Sequence, residues 1–360
     1  MNHRMASSQV SPSRYRCECR CQLVEQNLFE LATVSAFQRI DSHDAIRYQR
    51  AVTHESHEAH GAARALVRNW LLLTLVLGST GCTSPTPPMT TDAQTYVLDY
   101  ETPSDPTLQP GLEKIDASLR AKYGMTTQHT AVGMLDLKSP RLAMIHPDRI
   151  EYAASVPKLG ILLAYFQLRP ESATNLNARD RHDLGLMAKA SDNVAAARFS
   201  QELGLREIQR VLENYHFYDA QRGGGIWVGK HYGKGGERIG DPIADHSHAA
   251  TVRQMLRFYL LMQQGKLVSP AASRSMLELL ASPEIPHDNI KFVKGLAGRD
   301  VTILRKWGSW ESWLHDTALI SGPGRHYILV ALTHHPKGDE YLEDLARAVD
   351  DLMSQPARGY

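Results

Sequence analysis

The feature that most constrains the fold is a helix-length segment, residues 155–168, that is apolar on almost every side. After Ser-Val-Pro-Lys it reads Leu-Gly-Ile-Leu-Leu-Ala-Tyr-Phe-Gln-Leu, with no charged residue in these last ten positions. A helix without a polar face has to be covered by protein on all sides. The sequence therefore predicts a buried central helix that begins at Ser155, around which the rest of the domain packs.

Hydrophobic periodicity predicts strands on both sides of a mostly helical region. The predicted strands are 129–137, 141–152, 302–306, 313–320 and 327–333, and the predicted helices are 111–123, 155–168, 180–190, 193–203, 205–215, 247–264, 270–281 and 340–353. A glycine-rich loop, 223–240, interrupts the helices. This order predicts an α/β (α+β) fold: a five-stranded antiparallel sheet, flanked by helices, with an inserted and mostly helical subdomain.

The N-terminal part of the chain has the layout of an export signal. A basic flank (64–69) precedes an apolar run (70–77) and small residues that end in Gly81-Cys82. The run of eight residues is too short to span about 30 Å of hydrocarbon, so we expect no lasting transmembrane helix. Gly81-Cys82 resembles the end of a bacterial lipoprotein signal, in which the cysteine is lipidated. We therefore expect an exported protein, either periplasmic or anchored to the outer membrane, that meets the membrane only through lipid on Cys82.

These patterns divide the chain into four parts. Residues 1–63 are expected to be a disordered extension or the result of a start codon placed too far upstream. Residues 64–82 are expected to be the signal peptide, and 83–109 a tether that opens with Pro, Ser and Thr. Residues 110–354 are expected to form the folded domain.

Charge and cysteine content exclude several kinds of partner. The 40 Lys and Arg residues nearly cancel the 39 Asp and Glu residues, so there is no basic excess for binding nucleic acid. The chain after Cys82 contains no cysteine, and no ligand group follows Cys17, Cys19 and Cys21 at the spacing of a metal site. We expect no metal and no cofactor, a small-molecule substrate, and a monomer.

The start of the central helix carries the first candidate catalytic pair, Ser155 and Lys158. Residues three apart lie on one face of a helix, so the ammonium group can reach the hydroxyl. A lysine that is desolvated and close to other cations loses its proton readily and can act as a base. The free amides of a helix N-terminus suit a developing oxyanion. By itself, this spacing also fits a capping serine beside a surface lysine.

Two further motifs give the pair its significance. Ser191-Asp192-Asn193 falls at a break between two predicted helices, and Lys306-Trp307-Gly308-Ser309 begins at the end of a predicted strand. The ordered set S-x-x-K, S-D-N and K-x-G resembles the signature of class A β-lactamases and penicillin-binding proteins. The predicted order of helices and strands from about residue 110 to 354 is similar to that family as well.

The resemblance implies a role for each motif residue. Ser155 would form the acyl-enzyme, Lys158 would accept the serine proton, and Ser191 would relay a proton to the leaving nitrogen. Asn193 would bind the amide of the substrate side chain. Asp192 would brace the turn.

The last motif would bind the substrate from a strand. Lys306 would supply positive charge for the substrate carboxylate and help to lower the pKa of Lys158. Gly308 and Ser309 would continue this substrate-binding strand, and the backbone N–H groups of Ser155 and Ser309 would form the oxyanion hole.

The sequence departs from the family pattern in three ways. Trp307 stands where the family has Thr or Ser, so a hydroxyl that helps to hold the substrate carboxylate is missing. Ser191 follows Ser155 by 36 residues, a shorter gap than in typical class A enzymes. No E-x-x-L-N segment, whose Glu activates the deacylating water in that class, precedes the predicted helix 247–264.

The missing Glu leaves few candidates for a deacylation base. Of the nearby acids Glu237, Asp241 and Asp245, we consider Glu237 a possible deacylation base. We expect fast acylation of Ser155 followed by slow release of the acyl group.

Other motifs allow competing interpretations. Gly224-x-x-x-x-Gly229-Lys230 falls short of a phosphate loop because His231 replaces the Ser or Thr that would hold magnesium. Residues 245–248 suggest either a metal site or a helix cap at Asp245 or Ser247. The tryptophans at 307, 310 and 313 either line an aromatic substrate wall or pack the strand.

Together the motifs predict a serine hydrolase that acts on β-lactam-type amides through a Ser155 acyl-enzyme. A D-Ala-D-Ala peptidase or an esterase with slow deacylation would use the same residues. A hypothesis of another class is a non-catalytic envelope lipoprotein that binds peptidoglycan or a lactam as a sensor, although a pure binder has no need of Lys158.

Overall fold

The computed structural model describes residues 89–233 and 235–354. The expected extension (1–63), the expected signal peptide (64–82) and the lipidation site Cys82 therefore lie outside the described residues.

Helices and strands alternate along the described chain much as the sequence predicts. The helices are α1 (Thr91–Thr95), α2 (Gln109–Tyr123), α3 (Lys158–Leu168), α4 (Ala178–Gly185), α5 (Asn193–Leu203), α6 (Leu205–Asn214), α7 (Val252–Gln263), α8 (Pro270–Ala281), α9 (Lys291–Gly295) and α10 (Gly338–Ser354). The strands are β1 (Thr130–Asp136), β2 (Arg141–Ile145), β3 (Glu151–Tyr152), β4 (Tyr218–Asp219), β5 (Gly224–Gly225), β6 (Trp227–Val228), β7 (His248–Ala250), β8 (Thr302–Trp310), β9 (Trp313–Gly322) and β10 (Arg325–His334).

The main sheet has five antiparallel strands in the order β2-β1-β10-β9-β8. Side chains of a strand point alternately to the two faces of a sheet. In β10, Ile328, Val330 and Leu332 join the core shared with α3 and α7, whereas Leu329 and Ala331 join the core shared with α2 and α10. Helices thus cover both faces, and the predicted fold class is confirmed.

The central helix is buried as predicted. Every side chain of α3 from Lys158 to Phe166 is buried, and most of them lie in the core that α3 shares with α7. The helix begins later than predicted, because residues 155–157 form a tighter turn in which Gly160 N–H donates to the Pro157 carbonyl at 2.8 Å. Ser155 therefore lies in the turn that leads into α3.

Two further predicted elements are wrong in their bounds, because each of them contains a break. The predicted strand 141–152 is broken at His146, whose φ is +51°, and its second part, β3, pairs with β7 in a separate small sheet. The predicted helix 247–264 opens with that strand β7 and becomes helical only at Val252. Its cap is Thr251, whose Oγ1 accepts from the Gln254 N–H, so neither Asp245 nor Ser247 caps this helix.

The segment expected as a tether, 83–109, differs from that expectation over the part that the structure describes. Ala93 and Leu98 are buried in the core, and Gln264 Nε2 donates to the backbone carbonyls of Ala93 and Tyr96, each at 2.8 Å. These apolar side chains hold the segment against the end of α7.

Among the described residues, none of the helices is both long enough and apolar enough to cross a membrane.

A buried ion pair joins the edge strand β8 to its neighbour. Arg305 on β8 and Asp316 on β9 are fully buried and lie 2.8 Å apart, and Asp316 also accepts from the backbone N–H of Phe292 at the start of α9. The pair therefore fixes β8 against both β9 and the segment that precedes it.

We predict that Asp316→Ala lowers the free energy of unfolding by about 3–5 kcal/mol, because it leaves the Arg305 guanidinium buried without its carboxylate. Glu101→Ala is the control: its ion pair with Arg222 lies on the surface, and its loss should cost less than about 1 kcal/mol. Urea unfolding of both variants measures the difference. Equal stability of the two variants would show that the buried pair does not hold β8.

Candidate active site

A cavity of about 920 Å³ opens where the turn before α3, the start of α5 and the end of β8 meet. Three of the residues predicted from the sequence line it, namely Ser155, Asn193 and Ser309. Five others, Lys158, Ser191, Lys306, Trp307 and Gly308, are not part of the wall. The structure thus brings the three motifs together, with Ser155 at the surface of the cavity and Lys158 buried in contact with the S-D-N motif.

Gly308 sets the distance between β8 and the turn that carries Ser155. A Cβ atom at this position would lie 2.7 Å from the Ala153 carbonyl oxygen and 2.9 Å from the Ser155 backbone nitrogen, closer than atoms can pack. Only glycine allows this approach without a shift of the backbone. As a result Ser309, the next residue of the edge strand, lies beside Ser155 at the cavity wall.

Lys158 is fully buried and is held by oxygen atoms of the S-D-N motif. Its Nζ donates to the Ser191 carbonyl at 2.6 Å and to Asn193 Oδ1 at 2.7 Å, and it lies 3.4 Å from Ser191 Oγ. The ring of Tyr232 covers the ammonium group at 4.5 Å. None of these partners carries a full negative charge.

The environment of Lys158 favours its neutral form. Burial lowers the pKa of Lys158 to about 7, and the Asp192 carboxylate acts weakly in the opposite direction. Because an ordinary lysine titrates near 10.4, a large share of Lys158 is a free amine at neutral pH. It is therefore able to accept a proton.

The S-D-N motif is shaped by a left-handed residue. Ser191 has a φ of +62° and ends a short π-helical turn, after which Asp192 Oδ1 accepts from the Ala195 N–H at 2.7 Å and caps α5. Asn193 Oδ1 accepts from Lys158 Nζ. Its amide nitrogen has no partner among the described residues, and Asn193 lines the cavity, so the amide is available to a ligand there.

Lys306 was predicted to bind the substrate carboxylate, but it does not line the cavity. It is fully buried, and its Nζ donates to the Trp307 carbonyl at 2.9 Å. Burial holds the pKa of Lys306 well below its usual range, and the nearby Lys158 ammonium adds to this effect.

Sequence reasoning missed a third lysine of the site. Lys291, on the short helix α9, is fully buried and donates to the Gly308 carbonyl at 2.8 Å and to Ser309 Oγ. Burial lowers the pKa of Lys291 to about 8. A helix of five residues has no periodicity to reveal it, and only the fold brings Lys291 behind the wall residue Ser309.

The three tryptophans have different positions. Trp310 and Trp313 line the cavity, and Trp310 is 59% exposed. Trp307 does not line it, and its ring lies about 5 Å from the ammonium groups of both Lys291 and Lys306 (5.1 and 5.2 Å). Trp307 therefore packs within the strand region, whereas Trp310 and Trp313 form part of an aromatic cavity wall.

The acids considered as deacylation bases all lie away from the cavity wall. Glu237 is exposed and pairs with Arg206 at 3.8 Å. Asp241 is buried and accepts from backbone N–H groups of its own loop, and Asp245 pairs with Arg238. The carboxylate that does line the cavity among the described residues is that of Glu311, in the exposed turn between β8 and β9.

Three histidines lie on the cavity wall, and the sequence predicted no acid–base role for them. They are His231, His246 and His248. No group of three or more His, Cys, Asp or Glu side chains within residues 89–233 and 235–354 is arranged to hold a metal ion.

The chain is similar in sequence to mycobacterial proteins. A Mycobacterium tuberculosis protein named "Putative lipoprotein LppW" is 27% identical over 223 residues, which cover 58% of this chain and 64% of that protein. The chain thus spans less than two thirds of the length of this relative. The M. bovis protein of the same name matches equally.

Solved structures share the fold. A class A β-lactamase from Mycobacterium abscessus matches with a TM-score of 0.56 at 16% identity, covering 68% of this chain and all of that one (100%). The β-lactamase from Sphaerobacter thermophilus gives 0.55 at 16% identity (69% and 99%). The protein named PBP-A gives 0.54 at 18% identity (70% and 98%).

The sequence model of the Beta-lactamase enzyme family matches residues 173–353, just over half of the 360-residue chain. The matched range contains the S-D-N and K-x-G motifs and begins after Lys158. This match and the five-stranded sheet show that the chain belongs to the beta-lactamase enzyme family.

Proposed function

We propose that the protein is a serine hydrolase that acts on β-lactam-type amides through an acyl-enzyme on Ser155. The observation that carries the proposal is the fully buried Lys158, whose pKa is lowered to about 7 and which follows by three residues a serine at the wall of a cavity. A pure binding protein gains nothing from a desolvated lysine of this kind, because burying an ammonium group costs free energy.

The proposed acylation step assigns a role to each motif residue. Ser155 Oγ attacks the amide carbonyl carbon while Lys158 Nζ takes the hydroxyl proton. The backbone N–H groups of Ser155 and Ser309 receive the developing oxyanion. The amide C–N bond then breaks, and Ser191 Oγ, which lies 3.4 Å from Lys158 Nζ, passes the proton to the leaving nitrogen. The acyl group remains as an ester on Ser155.

Substrate recognition uses the remaining wall. The free amide of Asn193 suits the side-chain carbonyl of an acylamino substrate. The rings of Trp310 and Trp313 offer apolar area for its side chain. The carboxylate of a bound substrate would favour the protonated forms of Lys306 and Lys291, whose pKa values burial lowers, and these two lysines would then supply its positive charge.

We predict that Ser155→Ala abolishes covalent labelling by a fluorescent penicillin, and that Lys158→Met slows acylation by about 10²–10⁴-fold, as loss of a general base does. Lys114→Met, an exposed lysine on α2, is the matched control and should acylate normally. Intact-mass spectrometry after incubation with a penicillin, a D-Ala-D-Ala peptide and an activated ester measures the adduct and identifies the preferred substrate class.

Undiminished labelling of a folded Ser155→Ala protein would contradict the proposal. An unmodified wild-type protein that binds penicillin reversibly would instead favour the sensor hypothesis.

We also propose that the protein is exported and anchored through lipid on Cys82. The lipoprotein-like signal at residues 64–82 supports this, together with the name of the mycobacterial relative.

We predict that the protein expressed in a bacterium loses all residues before Cys82 and fractionates with membranes, since two acyl chains give stable anchoring. Cys82→Ser should move the protein to the soluble fraction, whereas Ser84→Ala, in the same segment, should leave it in the membrane fraction. N-terminal sequencing that finds Met1 on the mature protein would contradict this proposal.

A further inference from the structure

Tyr232 contacts both the proposed base, Lys158, and the turn that carries Ser155. Its side chain is buried and forms part of the cavity wall. The ring covers Lys158 Nζ at 4.5 Å, and the hydroxyl donates to the Ala154 carbonyl at 3.1 Å. The sequence patterns assign no role to this residue, and its position in the fold is what relates it to the site.

The segment that carries Tyr232 is held against the strand β7 and the residue before it. The Gly229 N–H donates to the Ser247 carbonyl at 2.7 Å. His248 Nε2 bonds the Lys230 carbonyl at 3.0 Å. The ring of His248 also packs against that of Tyr232, with centroids 4.3 Å apart. The ring of Tyr232 is therefore positioned by these contacts and not only by the groups that it touches in the site.

The ring of Tyr232 covers one side of the Lys158 amine with apolar surface. The hydrogen-bond partners of Nζ are neutral oxygen atoms of Ser191 and Asn193. An aromatic face attracts a cation weakly, whereas hydration by water stabilises it strongly. Because Tyr232 lies both over Nζ and on the cavity wall, loss of its ring would extend the cavity towards the amine. The ring therefore favours the neutral amine.

Three other titratable groups interact with Lys158. The Asp192 carboxylate, at the start of α5, raises the pKa of Lys158 and opposes the effect of burial. The Lys158 ammonium group in turn lowers the pKa of Lys306 on β8. Burial lowers the pKa of His248 on β7 to about 4, so this imidazole is neutral near pH 7. All three groups remain when Tyr232 is replaced, so a change in the titration of Lys158 reports the loss of the ring.

The hydroxyl of Tyr232 holds the peptide group that joins Ala154 to Ser155. Ala154 has a φ of +48°, a left-handed conformation that a residue other than glycine adopts only when its surroundings impose it. In a planar trans peptide the carbonyl and the N–H point in opposite directions. A donor on the Ala154 oxygen therefore fixes the direction of the Ser155 N–H, which is proposed to bind the oxyanion. Burial raises the pKa of Tyr232, so its hydroxyl stays protonated and able to donate.

We infer, on the basis of the proposed acyl-enzyme, that Tyr232 is a positioning residue for acylation. Its ring keeps water from Lys158, and its hydroxyl sets the orientation of the Ser155 N–H. The base and the oxyanion donor act in the same step, and Tyr232 contacts the base directly and the donor through its peptide group. One side chain therefore prepares both groups for that step.

Two substitutions of Tyr232 separate its two contacts. Tyr232→Phe keeps the ring and loses the hydroxyl, so acylation by a penicillin should slow by about 2–10-fold, the effect of one lost hydrogen bond. The titration midpoint of Lys158 should stay near 7 in this variant. Tyr232→Ala also loses the ring, and the midpoint should rise by about one pH unit or more towards the value of an ordinary lysine, about 10.4. NMR titration of Lys158 measures the midpoint, and intact-mass spectrometry measures acylation against pH.

Tyr123→Phe on α2 is the matched control, because it loses a hydrogen bond to Asp344 outside the cavity wall, and it should acylate as the wild type does. Tyr232→Val loses the ring with a smaller loss of packing and replaces Tyr232→Ala if that variant does not fold. A Lys158 midpoint near 7 in a folded variant without the ring would overturn the inference, and so would wild-type acylation by Tyr232→Phe. A wild-type protein that is never acylated would refute the proposed function, whereas the NMR titration, which needs no acyl-enzyme, tests the ring separately.

Discussion

The site depends on one unfavourable interaction, the burial of the Lys158 ammonium group without a carboxylate in contact with it. Around Nζ the structure places a backbone carbonyl, an amide oxygen and the face of an aromatic ring. These groups hold the amine in position but cannot replace the hydration that a full charge loses. The neutral form of Lys158 is therefore populated at physiological pH, because burial lowers the pKa of the amine. In that form the amine is able to accept a proton.

The apolar character of α3 is the reason that Lys158 can be buried at all. The helix continues for eight buried residues after the lysine, down to Phe166, and they form part of the larger core. A lysine at the first turn of such a helix cannot extend to solvent without leaving the core. Fold stability and the proposed catalytic chemistry thus depend on the same segment.

The edge strand β8 provides the other half of the site by its close approach to the Ser155 turn. Gly308 allows the approach, and the buried pair of Arg305 and Asp316 holds the strand in its sheet. The cost is a concentration of basic groups, because Lys291, Arg305 and Lys306 are all fully buried close together. Burial lowers the pKa values of both lysines, while Arg305 keeps its charge paired with Asp316.

Much of this arrangement could be predicted from the sequence, because apolar periodicity is strong in α3 and in the sheet. The motifs around Ser155, Ser191 and Lys306 could be found because their spacing is local. Other features depend on tertiary contacts. The short helix that carries Lys291 has no periodic pattern, and the strand β7 is concealed by the apolar pattern of the helix that follows it.

The most direct test of the account is the pKa of Lys158 itself. Protein labelled with ¹³C at lysine Cε can be titrated by NMR, and the Lys158 signal is identified by its loss in Lys158→Met. The account predicts a midpoint near 7, with the amine neutral above that pH. Acylation should rise with pH through the same midpoint, because only the free amine accepts the serine proton. A midpoint at or above about 10, the value of an ordinary lysine, would contradict the central claim.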